Sequence, residues 1–212
     1  MNHPYMSVVA PSFIAVPIGV ALAKYKVAPR EVKILFYFLL VTVVIYLVST
    51  LLALNKISNT TVIHADTVIE ALFLLKFFHT IFPNPATRKY ILFLMVGFPV
   101  FCCINFIFIQ GPGHYNSYSR PVEAIIFIAL SMFYWWHTGN EAPAGSWMNT
   151  SLNWIISGIL LYFSSAFFLF IFSNLVVSKY NLSINELVWN IHATLIVIMY
   201  LLFAIGFSKY KT

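Results

Sequence analysis

Charge is what this 212-residue chain has least of. Asp, Glu, Lys and Arg make up only 8% of it, against about 25% in a soluble domain. Hydrophobic residues account for 61% and aromatics for 18%, and mean hydropathy is +0.87. No interval between the apolar runs has room for a soluble domain, which excludes a water-soluble enzyme or binding module. Cysteine is nearly absent too. The two present, Cys102 and Cys103, are adjacent inside an apolar run, as packing residues are, and form neither a disulfide framework nor a metal pair. Internal repeats, low-complexity tracts, heptads and dyad alternation are all missing, which excludes solenoids, coiled coils and membrane β-barrels.

What remains is an all-α, multi-pass membrane protein forming one integral-membrane domain over 1–212. Backbone groups in lipid must be satisfied within the segment, so each crossing is a helix of roughly 17–25 mostly apolar residues. Seven such spans are expected, at about 6–23, 33–54, 62–82, 90–110, 121–137, 152–175 and 187–207. Pro11 and Pro17 predict a kink in the first. Its Ala21-Leu-Ala23 ending looks like a signal-peptidase site, but residues 1–6 lack Lys and Arg, so a retained helix is expected.

With seven spans, Lys56, Arg120 and Lys179 fall on one side. Lys24, Lys26, Arg30, Lys33, Arg88, Lys89, Lys209 and Lys211 fall on the other. Excess cations mark the cytoplasmic side, giving a seven-helix bundle with its N-terminus outside and its C-terminus cytoplasmic. The net charge of +6 reflects this bias and nearness to anionic lipid, and gives no reason to expect nucleic acid.

The third span, TVIHADTVIEALFLLKFFHTIF, is the exception to the shortage of charge. It carries His64, Asp66, Glu70, Lys76 and His79, and ionisable groups within hydrocarbon are functional-site candidates. At about 100° per residue, Asp66 and Glu70 lie within about 40° of each other, whereas Lys76 and His79 fall on a different face nearer the other end. Glu123, Glu186, His192 and His114 belong to the same membrane side as Asp66. Several of these have ordinary readings. Asp66 and Glu123 suit first-turn positions favoured by the helix dipole, Ser183-Ile-Asn-Glu186 matches a capping box, and Lys76 can snorkel to its interface. Loop 83–89 is expected to be a Pro-rich turn, and loop 138–150 the longest connection. Glu70 lies too deep for any of these, so it must be protonated, paired or facing water, with His192 as its expected partner.

The pieces Tyr115-Asn-Ser-Tyr-Ser-Arg120 leading to Glu123, Trp147-Met-Asn149, Tyr162-Phe-Ser164, Ser173-Asn174, Ile191-His192 and Phe203-Ala-Ile-Gly206 resemble a poorly characterised family of small bacterial seven-transmembrane-helix proteins. Some of that family are linked to membrane modules of sensor kinases. The resemblance is best in the second half of the chain. It implies a seven-helix bundle in a bacterial inner membrane, and sensing.

Other seven-helix classes meet specific obstacles. Residues 187–207 contain no Lys, so there is no retinal Schiff base. Paired three-helix repeats are absent. His64, His114 and His192 lack HxxxH spacing, which weakens a zinc hydrolase. Two expectations follow. The first is a receptor-like, non-enzymatic protein without a cofactor, in which Glu70, His192, Glu123, Asp66 and His64 line an outward-facing cavity for a small ligand or protons. It would signal to a cytoplasmic protein. The alternatives are a metal-dependent membrane hydrolase with zinc on Glu70, Glu123 and His192, or a small-solute carrier. No catalytic residue is assigned.

Overall fold

Apolar segments long enough to cross lipid fold as helices, and helices are what the computed structural model shows over the residues it describes, 5–139, 147–179 and 182–210. Helix α1 covers Tyr5–Ala23, α2 Arg30–Leu54, α3 Thr60–Ile81 and α4 Pro85–Gln110. Helix α5 is Ser119–Gly139, α6 Ser151–Lys179 and α7 Leu182–Ser208. Five of them, α1, α2, α4, α6 and α7, are long and apolar enough to cross a membrane. The other two, α3 with Asp66, Glu70 and Lys76 and α5 with Arg120 and Glu123, have 22 and 21 residues.

Local chemistry explains where the ends differ from expectation. Helix α4 starts at Pro85, inside the stretch expected to be a turn. Asn84 caps it by accepting from the Ala86 N–H at 2.8 Å, and Pro85 sits where its missing N–H costs nothing. Its last turn, Asn105–Gln110, widens to a π-helix and stops at Gly111, whose φ of 69° suits glycine. Helix α7 begins among the described residues at Leu182, one residue before the Ser183 of the expected capping box. Asn59 precedes α3 but makes no cap bond; its side chain donates to Ser49 Oγ instead, at 2.7 Å. Helix α1 is broken as its prolines predict, with a π-helical turn at Tyr5–Val9 and separate helical stretches at Ala10–Ser12 and Ala15–Ala23. The connection 140–146 lies outside the described residues.

The helices close on themselves. Helix α1 packs on α2 and α7, α2 on α3, α3 on α5, α5 on α6 and α6 on α7, while α4 lies against α3. Glycine lets α6 and α7 approach closely: a Cβ on Gly206 would come within 2.6 Å of Ile155 Cγ1. Close backbone approach through small residues is how helices gain packing energy in lipid, where hydrophobic transfer no longer drives association. On the lipid-type surface, Phe93, Val96, Ile107 and Phe108 of α4 are all more than half exposed.

One half of the interior is packed mainly with aromatic and aliphatic side chains. Leu74, Leu75, Phe77 and Phe78 of α3, Phe127 of α5, Phe163 of α6 and Phe203 of α7 are fully buried there. Their rings interlock, with centroids 6.0 Å apart for Phe78–Phe127 and 5.0 Å for Phe127–Phe163. The other half, towards the start of α3, is polar.

Candidate functional site

Asp66 and Glu70 are one turn apart on α3 and share a face, as helical periodicity requires. The group they face is Arg120. Counted in the sequence as a loop cation, Arg120 is the second residue of α5, and its side chain is only 12% exposed. Its Nη2 donates to Asp66 Oδ2 at 3.0 Å, and its Nη1 donates to Glu123 Oε2 at 3.0 Å and to Glu70 Oε2. The guanidinium also lies over the Phe170 ring, 5.6 Å from its centroid. Glu70 is therefore paired, and its partner is arginine, not His192.

The helix limits revise the capping readings. Asp66 is the seventh residue of α3 and Glu123 the fifth of α5, both past the first turn where a carboxylate would serve the dipole. Their role is ionic. Glu123 is fully buried, Glu70 nearly so, and Asp66 keeps 27% of its side chain exposed. Such burial is tolerated only where charges are paired. Three carboxylates against one guanidinium still leave two formal negative charges uncompensated. Glu123 Oε1 is buried without a hydrogen-bond partner.

His192 belongs to the same site without bonding to it. Its imidazole sits among Tyr162, Phe170 and Trp189 at centroid distances of 5.7, 5.6 and 5.8 Å. Its Nδ1 is buried without a partner. A small cavity of about 140 Å³ is walled by Asp66, Glu70, Arg120, Tyr162 and His192. A larger one of about 620 Å³ lies between α1, α2, α3 and α7, and shares Thr42, Asp66, His192, Ile196 and Tyr200 with the first. Its remaining walls are mostly aliphatic, among them Ile14, Val43, Val62 and Ile63.

His64, expected at the cavity, is elsewhere. It is buried, its Nε2 lies 3.0 Å from the His114 carbonyl, and its ring meets Phe106. Two residues before Asp66, it points about 200° away from that carboxylate around the helix. Together with a polar network it fixes the connection between α4 and α5. Asn174 accepts from the Tyr115 N–H and donates to the Tyr115 carbonyl and Ser117 Oγ. Gln110 donates to the same carbonyl and hydroxyl, and Asn116 donates to Thr67 Oγ1. Burial against these elements pushes the Tyr115 phenol pKa upward.

Arg120, Tyr162 and Tyr200 are the site residues that sequence reasoning missed. The available signal was the Arg120–Glu123 spacing, one helical turn, read together with the need to neutralise Asp66 and Glu70. Among the described residues no three His, Cys, Asp or Glu side chains are grouped as metal ligands. The carboxylates expected from sequence as candidate zinc ligands converge instead on the Arg120 guanidinium. No nucleophile and base are paired in the cluster. Comparison with protein-family models, curated proteins and solved structures finds no match, so the residues themselves carry the functional reading.

Proposed function

We propose that this chain is a receptor-like, sensory membrane protein that holds a small ligand in the cavity beside the Arg120 cluster. The observation that carries this reading is a largely aliphatic cavity of about 620 Å³ with Asp66 and His192 in its wall. Pockets that hold small molecules are of this size, mostly apolar, with a few polar groups to fix orientation.

The full topology belongs to the proposal. Helices α3 and α5 would be about 33 and 31 Å long at 1.5 Å per residue, enough to cross the hydrocarbon. With their charged groups turned to the interior, seven spans are consistent with the length of every helix. Removing Arg120 from the loop tally leaves Lys56 and Lys179 against eight cations, which strengthens the cytoplasmic assignment of the Lys76 end. The cavity is then in the outer half. Location in a bacterial plasma membrane rests on the sequence resemblance. Ligand binding would alter how α1, α2, α3 and α7 pack, and the basic cytoplasmic collar would report this to a partner protein. A carrier is less well supported, because neither cavity is lined by Lys76 or His79.

A thermal-shift screen of the purified protein tests the reading. His192→Ala is expected to abolish stabilisation by a hit compound while leaving the apo protein folded. A broad screen without a single stabilising compound would count against a receptor.

A further inference from the structure

From the chemistry of this cavity we infer the class of its ligand: an amphipathic monocation, with an apolar body and a protonated amino group that docks between Asp66 and His192. The inference rests on the receptor reading above and specifies what that receptor binds.

Charge is the first reason. One guanidinium serves three carboxylates, so the cluster lacks positive charge. An anionic ligand would add to the excess, whereas an ammonium would reduce it. A carboxyl that low polarity keeps protonated can give up its proton to the site as an ammonium enters, whereas the cluster has no free cation to receive an anion.

Position is the second. The three carboxylates are not equally reachable. Glu123 is sealed at 0% exposure and Glu70 at 9%, while Asp66 is 27% exposed and lines both cavities. Arg120 engages Asp66 only through Oδ2, which leaves the carboxylate capacity for another donor. Across the same space, His192 Nδ1 is buried without a partner. An ammonium has three N–H donors and no acceptor, so it suits a site offering a carboxylate and an imidazole nitrogen.

The third reason is the remainder of the wall. Ile14, Val43, Ile45, Val62, Ile63 and Ile196 make up much of the rest of the cavity wall. They fit hydrocarbon or an aromatic ring, and they bring no charge of either sign. A small hydrophilic cation would leave this surface uncovered.

Such a ligand could arrive as a free amphipathic amine or as the ammonium headgroup of a membrane lipid. The probe set is 4-phenylbutylamine, 4-phenylbutanol and 4-phenylbutyrate, which share one body and differ in head charge. Binding is measured by calorimetry to the full-length protein in nanodiscs of phosphatidylcholine, with empty nanodiscs subtracted for partitioning. The amine is expected to bind best and to weaken at least tenfold in Asp66→Asn, on the order of one lost charge-assisted hydrogen bond. The alcohol and the acid are expected to be insensitive to that substitution. Ala193→Phe, which fills the cavity and leaves every charged residue in place, is expected to abolish amine binding. It also guards against an Asp66→Asn protein that fails to fold.

Phosphatidylethanolamine in the nanodiscs is expected to compete if the natural source is lipid; amine binding unaffected by it assigns the site to a free amine. Equal binding of the three probes, or preference for the acid, with loss in Ala193→Phe, overturns the cationic assignment and leaves the ligand cavity standing. No binding of any probe, in a protein whose fold Ala193→Phe does not disturb, removes both.

Discussion

The same four helices, α3, α5, α6 and α7, build two interiors that follow opposite rules. Towards the Lys76 end they contribute the fully buried Phe78, Phe127 and Phe163, packed ring against ring, and Phe203, whose ring meets Phe207. Towards the Asp66 end they contribute Asp66, Glu70, Arg120, Glu123 and His192, with cavities beside them. The contrast shows where each half obtains its stability. The aromatic half gains from close contact and tolerates no gap. The polar half is held by an ion cluster that is costly to bury and costlier to break, and packing is given up there for space.

Removing Arg120 is the harshest test of that contrast. Arg120→Ala leaves Asp66, Glu70 and Glu123 buried without a cation, and a loss of about 3–5 kcal/mol is expected. Thermal unfolding in detergent measures it. Arg120→Lys is expected to recover only part, since an ammonium cannot reproduce the planar fork that serves three acceptors. An alanine variant as stable as the parent would mean that the carboxylates are neutral on their own and that no ion cluster exists.

In the tightly packed region the sensitive point is a hydrogen atom. Gly206→Ala places a methyl group 2.6 Å from Ile155 Cγ1 and 3.0 Å from the Ser151 carbonyl. Overpacking of this kind costs about 1–3 kcal/mol. Amine binding by the Gly206→Ala protein should be unchanged, because Gly206 lines neither cavity. Loss of binding in parallel with stability would show the two halves to be mechanically coupled.

A smaller effect is expected where the polar half meets its covering connection. Asn174 makes three hydrogen bonds to Tyr115 and Ser117. Bonds between helices in membranes are individually weak, about 0.6 kcal/mol each. Asn174→Ala should therefore cost about 1–2 kcal/mol and speed hydrogen exchange at the Tyr115 and Ser117 amides. Unchanged exchange would mean that Gln110, Asn116 and His64 hold the connection without Asn174.

The two halves also differed in how far the sequence disclosed them. Apolar length located every helix, since nothing but a helix satisfies the backbone in lipid. Ends were misplaced where one side chain decides them, as Asn84 does for α4. At the polar site, periodicity paired Asp66 with Glu70, and depth singled out Glu70. The same periodicity would have removed His64, which is about 200° from Asp66. Arg120 was concealed by its surroundings: it ends the irregular run QGPGHYNSYSR and precedes Pro121, so it read as a loop cation although the helix begins at Ser119. Its pairing with α3 is a tertiary contact across 50 residues or more, which no local pattern encodes.

Lys76 should show the least effect, and this sharpens the comparison most. It lies six residues beyond Glu70, about 9 Å further along the axis and about 120° around it. The carboxylates of the polar half are therefore out of its reach. Half-buried near the end of α3, its long side chain can run along the helix surface and place the ammonium at the interface. On that account Lys76→Met removes a solvated charge and keeps the apolar stem. Thermal unfolding should change by no more than about 0.5 kcal/mol, and amine binding not at all. A loss of several kcal/mol would show that Lys76 is held by a buried partner. The Lys76 end would then contain a second ionic site, and the division of the bundle into an aromatic half and a charged half would fail.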